Sequence, residues 1–400
     1  MQMLEAVARK LGWSEWRLDR IRSMERVMEG SIYAEMEGEI LPVTWFRMVH
    51  SSADGCACGR FVIPYLGTME TAENEARHKS LVCSLLGLPM SGAYGGLLMD
   101  SEENLNSSLI QALAQQHKNW LGVERDLWLM GTSEIADQLA AELEKFSDSM
   151  VRASILGKSM DQGGVGYRNK LHYFPMMTLL KSYFRREVRD HTGIRCLVVA
   201  PPSFWPGLCK ELQKAGFLIA GVSDGFGGIC SKTSLDQELL DSLSHQTPMR
   251  MGMRPGSMSG DLSVHTQAEF YWEKADLLLI MDPAYSIADA THTKADIILP
   301  IGVDISSGHL EALEEKVILP DLLASCAESI FDFVEMQQNL ASEVFSESRI
   351  EKLISRKIEE SMDRIYQVAS ETNSSHIEAA WMLAMQNLES RYPKIHLEAD

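Results

Sequence analysis

The chain has 400 residues, of which 45% are hydrophobic and 23% are charged, and its formal net charge is −19. This length and composition are typical of a globular protein with two hydrophobic cores. The negative charge, together with the lack of a dense Lys/Arg cluster, argues against nucleic acid as a partner. No apolar run reaches the roughly 18 residues of a membrane span, so we expect no membrane partner either.

The N-terminal residues MQMLEAVARKLGWSEW have the pattern of an amphipathic helix without the apolar core of a signal peptide. The seven cysteines are odd in number and scattered, and only Cys56 and Cys58 form a close pair. Such cysteine usage fits a reducing compartment better than a disulfide framework. We therefore expect a cytoplasmic protein.

The first half of the chain combines strand and helix patterns. Polar and apolar residues alternate in GEILPVTWFRMVH, which predicts a strand, and helical patterns follow in ENEARHKSLVCSLLG and NSSLIQALAQQHKNWLG. Between the two helical patterns, LPMSGAYGG at residues 88–96 has the small-residue spacing of a tight loop that brings backbone close to a ligand. This half predicts a separate α/β domain that ends near residues 172–184.

The second half alternates short aliphatic runs with helical segments. The runs are RCLVVA, FLIAGVSD, ADLLLI, ADIILP and KVILPD. Continuous aliphatic runs of this length predict strands buried on both faces of a parallel, doubly wound sheet, and therefore a Rossmann-like domain. After Ser346, apolar residues at 350, 353, 354, 358, 362 and 365 predict an amphipathic helix.

The turn after the first strand of this Rossmann-like domain reads PPSFWPG. Dinucleotide-binding domains have a glycine-rich turn here, whose N–H groups hold the pyrophosphate. Pro201, Pro202 and Pro206 have no N–H to donate, and Phe204 and Trp205 occupy space that a phosphate needs. The turn predicts a plain strand-to-helix connection and no ordinary NAD(P) site.

These segments resemble, in one collinear order, the glutamate/leucine/phenylalanine/valine dehydrogenase family, and the glutamate dehydrogenases in particular. The segments are EGEILPVTWFRMVHSSADG, GRFVIPYLGTMETAENEARHKSLVCSLLGLPMSGAYGG, GTSEIADQLAAEL, LGKSMDQGGVGYR, VSDGFGGI and VILPDLLASCAESIFDFVEMQQN. The resemblance implies an α/β fold with an N-terminal oligomerisation domain, a Rossmann-like doubly wound domain and a cleft between them. We expect the first domain at residues 1–183, with the tail 346–400 packing back on it, and the second at 184–345.

The same resemblance places the ionic catalytic groups of the family on residues that cannot replace them. The catalytic lysine falls on Tyr94, and the two lysines that hold the substrate carboxylates fall on Cys58 and Val82. The catalytic aspartate falls on Leu129. Losing one partner of a charge-assisted bond costs about 1.5–3 kcal/mol, so the loss of all four predicts that no amino-acid dehydrogenase site is intact.

The cofactor positions of the family are also altered. Its glycine fingerprint falls on Pro201, Ser203 and Pro206, and an asparagine near the nicotinamide ribose falls on Val303. Asp224, which follows the strand FLIAGV, is a candidate ribose ligand or a structural turn residue. We therefore expect no cofactor.

Two further positions complete the comparison with the family. Arg168, a possible cofactor-binding residue like Asp224, is kept, whereas a serine that contacts substrate falls on Asp332. Lys79 lies one helical turn before Val82, and Arg60 lies two residues after Cys58. Each is either a relocated carboxylate anchor or a solvated surface charge.

Two further alternatives remain open. One is metal or redox chemistry that uses Cys56, Cys58 and Cys83 with His50 nearby. The other is a different small-molecule enzyme in which Tyr94 or His172 is the acid or base.

The sequence favours a catalytically inactive relative of glutamate dehydrogenase. It would act as a structural or regulatory subunit in a hexamer-type assembly, either of itself or with an active glutamate dehydrogenase paralogue. The alternative is an active NAD(P)-dependent oxidoreductase that acts on CH–NH₂ groups of an altered substrate.

Overall fold

A computed structural model describes residues 2–36, 38–101, 105–146, 149–244, 256–257, 260–281, 291–302 and 307–392. Val303 lies outside the described residues. The chain divides into two compact units. The first unit comprises Trp13–His172, Cys326–Ile354 and Leu383–Asp400, and the second comprises Met1–Gly12, Tyr173–Ser325 and Ser355–Met382.

The described helices are numbered in chain order. They are α1 (Gln2–Lys10), α2 (Glu15–Arg22), α3 (Met69–Leu86), α4 (Ser107–His117), α5 (Ser133–Glu144), α6 (Ser149–Arg152), α7 (Phe174–Arg186), α8 (Trp205–Lys214), α9 (Gln237–Ser244), α10 (Gln267–Tyr271), α11 (Ser307–Ala312), α12 (Asp321–Ala324), α13 (Ala327–Ala341), α14 (Glu347–Thr372) and α15 (His376–Arg391). Among these helices, none combines the length and apolar character that a membrane crossing requires.

The first unit contains a mixed sheet with six described strands. They are β1 (Arg26–Met36), β2 (Glu39–Val49), β3 (Cys56–Val62), β4 (Met90–Leu98), β5 (Asp126–Met130) and β6 (Ile155–Leu156). Their order is β1-β2-β4-β3-β5-β6. The pairs β1–β2 and β2–β4 are antiparallel, and β4–β3, β3–β5 and β5–β6 are parallel.

Helices α3, α4 and α5 of this unit have defined starts. The side chains of Thr68, Asn106 and Thr132 accept hydrogen bonds from backbone N–H groups in the first turns of α3, α4 and α5. Helix α3 ends at Gly87, whose φ of 62° is in the left-handed region that favours glycine. Apolar side chains of α4 and α5 join Trp45 in the core.

Residues 88–96 were expected to form a ligand-facing loop, and this expectation was wrong, because Met90–Leu98 form strand β4. Gly92 lies against helix α3, where a Cβ atom would be 1.8 Å from the carbonyl oxygen of Ala76. The N–H of Gly92 donates to Ser80 Oγ at 2.7 Å. At Gly92, therefore, the absent side chain allows a helix and a strand to approach closely.

The sheet of the second unit confirms the Rossmann-like, doubly wound prediction. Its described strands are β7 (Arg195–Val199), β8 (Leu218–Ser223), β9 (Gly227–Ser231), β10 (Gly256–Ser257), β11 (Leu262–Thr266), β12 (Leu277–Met281), β13 (Ile297–Ile301) and β14 (Val317–Ile318). Their order is β10-β11-β9-β8-β7-β12-β13-β14. Strands β8, β7, β12, β13 and β14 run parallel, whereas β9 pairs antiparallel with both β8 and β11.

The compact units differ in their boundaries from the expected domains 1–183 and 184–345. Helix α7 falls in the second unit, where its basic end pairs with α14: Arg185 Nη2 lies 2.5 Å from Glu359 Oε2, and Arg186 Nη2 lies 2.6 Å from Asp363 Oδ1. Residues 1–12 also belong to the second unit, and the tail 346–400 is divided between the two.

Candidate functional site

The four positions to which the resemblance assigns the family's catalytic groups lie in the first unit. Cys58 is on β3, Val82 on α3, Tyr94 on β4 and Leu129 on β5, and β3 pairs with both β4 and β5. Tyr94 is half-buried and the other three side chains are buried. Burial raises the pKa of the Cys58 thiol well above its ordinary value and raises the pKa of Tyr94 to about 12. All four side chains are therefore uncharged near neutral pH.

A buried carboxylate on helix α13 lies beside Cys58. Asp332 accepts hydrogen bonds from Lys79 Nζ, from Arg168 Nη1 at 2.9 Å, and from Cys58 Sγ at 3.7 Å. The Asp332 side chain is 0% exposed, so its negative charge depends on these donors. Burial raises the pKa of Asp332, but the charges of Lys79 and Arg168 together lower it by more, so the net shift of the pKa is downward.

A second carboxylate, Glu335, lies one helical turn further along α13. It accepts from Arg168 Nη2 at 3.0 Å, from the N–H of Gly157 at 3.0 Å and from Lys158 Nζ at 3.4 Å. The guanidinium of Arg168 thus bridges Asp332 and Glu335. Each of the cations Lys79, Arg168 and Lys158 is therefore paired with a carboxylate of the chain itself.

The two candidate carboxylate anchors, Lys79 and Arg60, both pair with carboxylates of the chain. Lys79 is 9% exposed and pairs with Asp332, so it is not a solvated surface charge. Burial lowers its pKa, but the Asp332 carboxylate outweighs burial and the net shift is upward. Arg60 is more than half exposed and pairs with Glu328, with 2.9 Å between Nε and Oε1. An exposed pair of this kind contributes about 0–1 kcal/mol.

The two candidate acids and bases differ in their protonation near neutral pH. Burial lowers the pKa of His172 below its ordinary value. Tyr94 keeps its proton, since its pKa is raised to about 12 by burial and by the charge of Glu75. A general acid or base works best when its pKa is near the working pH, so Tyr94 is poorly matched to proton transfer there.

The hypothesis of metal or redox chemistry at the cysteines has no metal ligand set to support it in the described part of the chain. No group of three or more His, Cys, Asp or Glu side chains is arranged there to hold a metal ion. Burial raises the pKa of Cys56 to about 11 and that of Cys83 to about 12. The Nε2–H of His50 donates to the carbonyl of Ile21 at 2.7 Å.

In the second unit, two backbone N–H groups of the turn at Pro201 to Pro206 donate hydrogen bonds to carbonyls of the same turn. The N–H of Phe204 donates to the carbonyl of Pro201 at 2.9 Å, and the N–H of Trp205 donates to that of Pro202. Three of the six residues are prolines without an N–H. Within residues 201–206, all of which the structure describes, Ser203 alone keeps an N–H outside these bonds.

Aromatic rings fill the space beside this turn. Trp205 is buried, and its Nε1–H donates to the carbonyl of Ala200 at 2.9 Å. Tyr173 covers Gly207, where a Cβ atom would lie 3.2 Å from the tyrosine ring. A pyrophosphate needs open space and several N–H donors at the start of the helix, so these residues do not fit a dinucleotide.

Asp224 follows β8 and holds the next turn. Its Oδ1 accepts from the N–H of Phe226 at 3.0 Å. Beside it, Ser223 Oγ donates to the carbonyl of Gly227 at 2.6 Å. These contacts support the structural role for Asp224 over that of a ribose ligand.

Glu335 and Lys158 were not among the site residues predicted from the sequence, and Asp332 had no predicted partner. One signal was present: the segment SIFDFVEMQ places two acidic residues three apart in an otherwise apolar helical pattern. Acidic residues on the buried face of a helix require cations nearby.

Comparisons with known proteins agree with the resemblance and the fold. No family model matches the chain. The NAD-specific glutamate dehydrogenase of Staphylococcus aureus (strain COL) is 22% identical over 416 residues, which cover 96% of this chain and 94% of the relative. The cryptic catabolic NAD-specific glutamate dehydrogenase of Bacillus subtilis is 23% identical over 406 residues, covering 95% and 91%.

Solved structures share the fold. The hetero-hexameric glutamate dehydrogenase of Thermus thermophilus (Leu bound form) matches with a TM-score of 0.80 at 18% identity, covering 98% of this chain and 94% of that one. The glutamate dehydrogenase of Peptoniphilus asaccharolyticus matches with a TM-score of 0.78 at 17% identity, covering 97% and 96%. The predicted α/β fold and the resemblance to glutamate dehydrogenases are confirmed.

Proposed function

Since the chain is a relative of the glutamate dehydrogenases, we propose that it is a glutamate dehydrogenase-like protein that has lost catalysis and acts as a structural or regulatory subunit. One observation carries this proposal. Buried Lys79 pairs with Asp332, and Arg168, whose side chain is 22% exposed, pairs with both Asp332 and Glu335.

The chemistry of oxidative deamination supports the proposal. Such a reaction needs a proton-transfer group with a pKa near the working pH and a hydride acceptor held against the substrate. Tyr94 has a pKa of about 12, and Leu129 has no titratable group. The turn at Pro201 to Pro206 offers a poor cradle for NAD(P). The proposed subunit therefore uses no cofactor.

The proposed role is that of a partner in an oligomer. One of the similar solved structures is of a hetero-hexameric glutamate dehydrogenase, which supports a hexamer-type assembly with an active paralogue; a homo-oligomer is the simpler form.

All seven cysteines are free and buried, which is in keeping with a protein that acts in the cytoplasm.

The competing function is an active amino-acid dehydrogenase with an altered substrate, which the names of the relatives favour. The first test is a calorimetric titration of the purified protein with NADH and then NADPH, with an active glutamate dehydrogenase as the positive control. We expect no heat of binding at millimolar ligand. Binding at micromolar level, or turnover of an amino acid that Tyr94→Phe abolishes, would overturn the proposal.

The partner role needs a separate experiment. The chain is co-expressed with a glutamate dehydrogenase from the same organism, and the purified assemblies are measured by native mass spectrometry. We expect mixed assemblies whose kcat or response to effectors differs from that of the enzyme alone. Two separate populations, with unchanged kinetics after mixing, would contradict a regulatory role in that enzyme.

A further inference from the structure

The donors around Asp332 satisfy both oxygens of one carboxylate. Lys79 Nζ and Cys58 Sγ approach Oδ2, and Arg168 Nη1 approaches Oδ1 at 2.9 Å. Two charged donors on opposite oxygens, with a weak thiol donor beside one of them, form a complete recognition set for a small carboxylate.

Arg168 has a side-chain partner other than Asp332, and the backbones of Lys79 and Cys58 lie in regular secondary structure. The other terminal nitrogen of Arg168, Nη2, lies 3.0 Å from Glu335 Oε2. Lys79 is fixed on an 18-residue helix, α3, and Cys58 lies in the central strand β3, paired on both sides. The donor set is therefore expected to keep its geometry when the carboxylate of residue 332 is removed.

We infer that Lys79 and Arg168, with Cys58, form a carboxylate-binding site whose occupant is the side chain of Asp332. This deepens the proposed function and rests on it, because it identifies what fills the site in place of a substrate. The residue at position 332 determines the occupancy: an aspartate closes the site, and a smaller uncharged residue opens it to a free carboxylate.

The size of the ligand follows from the atoms removed. Asp332→Ala removes one carboxylate group and keeps Cβ, so the space that it leaves matches formate. Acetate and propionate are one and two carbons longer and must displace packed neighbours, since the site is buried. The opened site is expected to prefer formate over acetate and acetate over propionate.

The test measures the urea midpoint of unfolding of Asp332→Ala during titration with sodium formate, with sodium chloride at equal ionic strength and neutral formamide as references. A ligand that binds only the folded protein raises the midpoint saturably. We expect that rise in Asp332→Ala with formate, a smaller one with propionate, and none specific to formate in the wild-type protein.

A matched control is available on the same helix. Glu328→Ala also removes a carboxylate from α13, but its partner Arg60 is more than half exposed, so no formate response is expected. Adding Lys79→Met to Asp332→Ala is expected to abolish the response. A response of Asp332→Ala to formate no greater than that of Glu328→Ala would overturn the inference.

If Asp332→Ala does not accumulate as folded protein, its recovery from urea is compared in formate and in chloride. Recovery in formate alone supports the inference, and equal or absent recovery in both salts overturns it. This readout is independent of catalysis. Turnover by the wild-type protein contradicts the proposed function, whereas a missing formate response contradicts only the carboxylate site.

Discussion

Arg47 and Asp126 form a two-point ion pair inside the first unit. Arg47 Nε lies 3.0 Å from Asp126 Oδ2, and Nη2 lies 2.5 Å from Oδ1. Arg47 is on β2 and Asp126 begins β5, so the guanidinium reaches across the intervening strands β4 and β3. It also donates to the carbonyls of Arg60 at 2.9 Å and Leu127 at 3.1 Å, and thereby ties three strands of the sheet together.

Asp126→Asn is expected to destabilise the protein strongly. The substitution leaves the 1%-exposed Arg47 without its anionic partner, and an uncompensated buried charge costs about 3–5 kcal/mol. The measurement is the free energy of unfolding from urea titration. The double variant Arg47→Met/Asp126→Leu removes both charges and is expected to recover part of the loss; a double variant as unstable as the single one would contradict this account.

The sequence predicted the strands of the second unit well because their signal is local. Runs such as RCLVVA and ADLLLI became β7 and β12, which are buried on both faces of the sheet. The stretch at residues 88–96 was misread because the meaning of Gly92 depends on helix α3, whose backbone approaches it. A glycine that accommodates a ligand and one that accommodates a helix look the same in a sequence.

At the candidate site, the sequence could predict the type of residue at each position but not its contacts. The resemblance identified Cys58, Val82, Tyr94 and Leu129 as uncharged replacements, and charge can be read from residue type. The pairing of Lys79 with Asp332 joins residues 253 positions apart, and local patterns carry no information at that separation. The sequence alone therefore does not decide whether Lys79 faces solvent or a carboxylate, because that depends on the packing of α3 against α13.

Gly92→Ala is expected to prevent correct folding or to cost several kcal/mol. The new methyl group would lie 1.8 Å from the carbonyl oxygen of Ala76 and 2.7 Å from the nitrogen of Ser80, both of them backbone atoms that cannot rotate away. Gly131→Ala is the control, because a Cβ atom at Gly131 has nothing within 4 Å. Thermal unfolding of the two variants tests the account, and equal melting temperatures would refute it.

Val188→Gly is expected to stabilise the protein by about 1 kcal/mol. Val188 follows helix α7 with φ of 52°, a conformation that strains a β-branched residue, and the residue is 94% exposed. Glycine relieves the strain without loss of packing. Asn373 has φ of 49°, but asparagine tolerates this conformation, so Asn373→Gly should shift the urea midpoint less. A larger shift for Asn373→Gly would show that strain at Val188 is not the cause.

The free energy of unfolding is expected to depend on pH through Asp54, and in a way that differs from an ordinary surface carboxylate. Burial raises its pKa from 3.8 to about 6, while Arg391 and Ser84 lower it. Arg391 Nε lies 2.7 Å from Asp54 Oδ1. Because the folded-state pKa exceeds the unfolded one, the folded protein holds this proton more tightly. The stabilisation is complete below about pH 4 and is lost as the pH rises through about 6.

Asp54→Asn removes this titration and leaves the rest of the pH profile in place. Relative to the variant, the wild-type protein is expected to lose up to about 3 kcal/mol of unfolding free energy between pH 4 and pH 6.5, since each unit of pKa shift corresponds to about 1.4 kcal/mol. Arg391→Met provides the second check. It removes a cation that lowers the pKa of Asp54, so the loss should extend to higher pH. Urea midpoints measured every half pH unit decide the matter, and parallel profiles for wild type and Asp54→Asn would show that Asp54 titrates at its ordinary pKa in the folded protein.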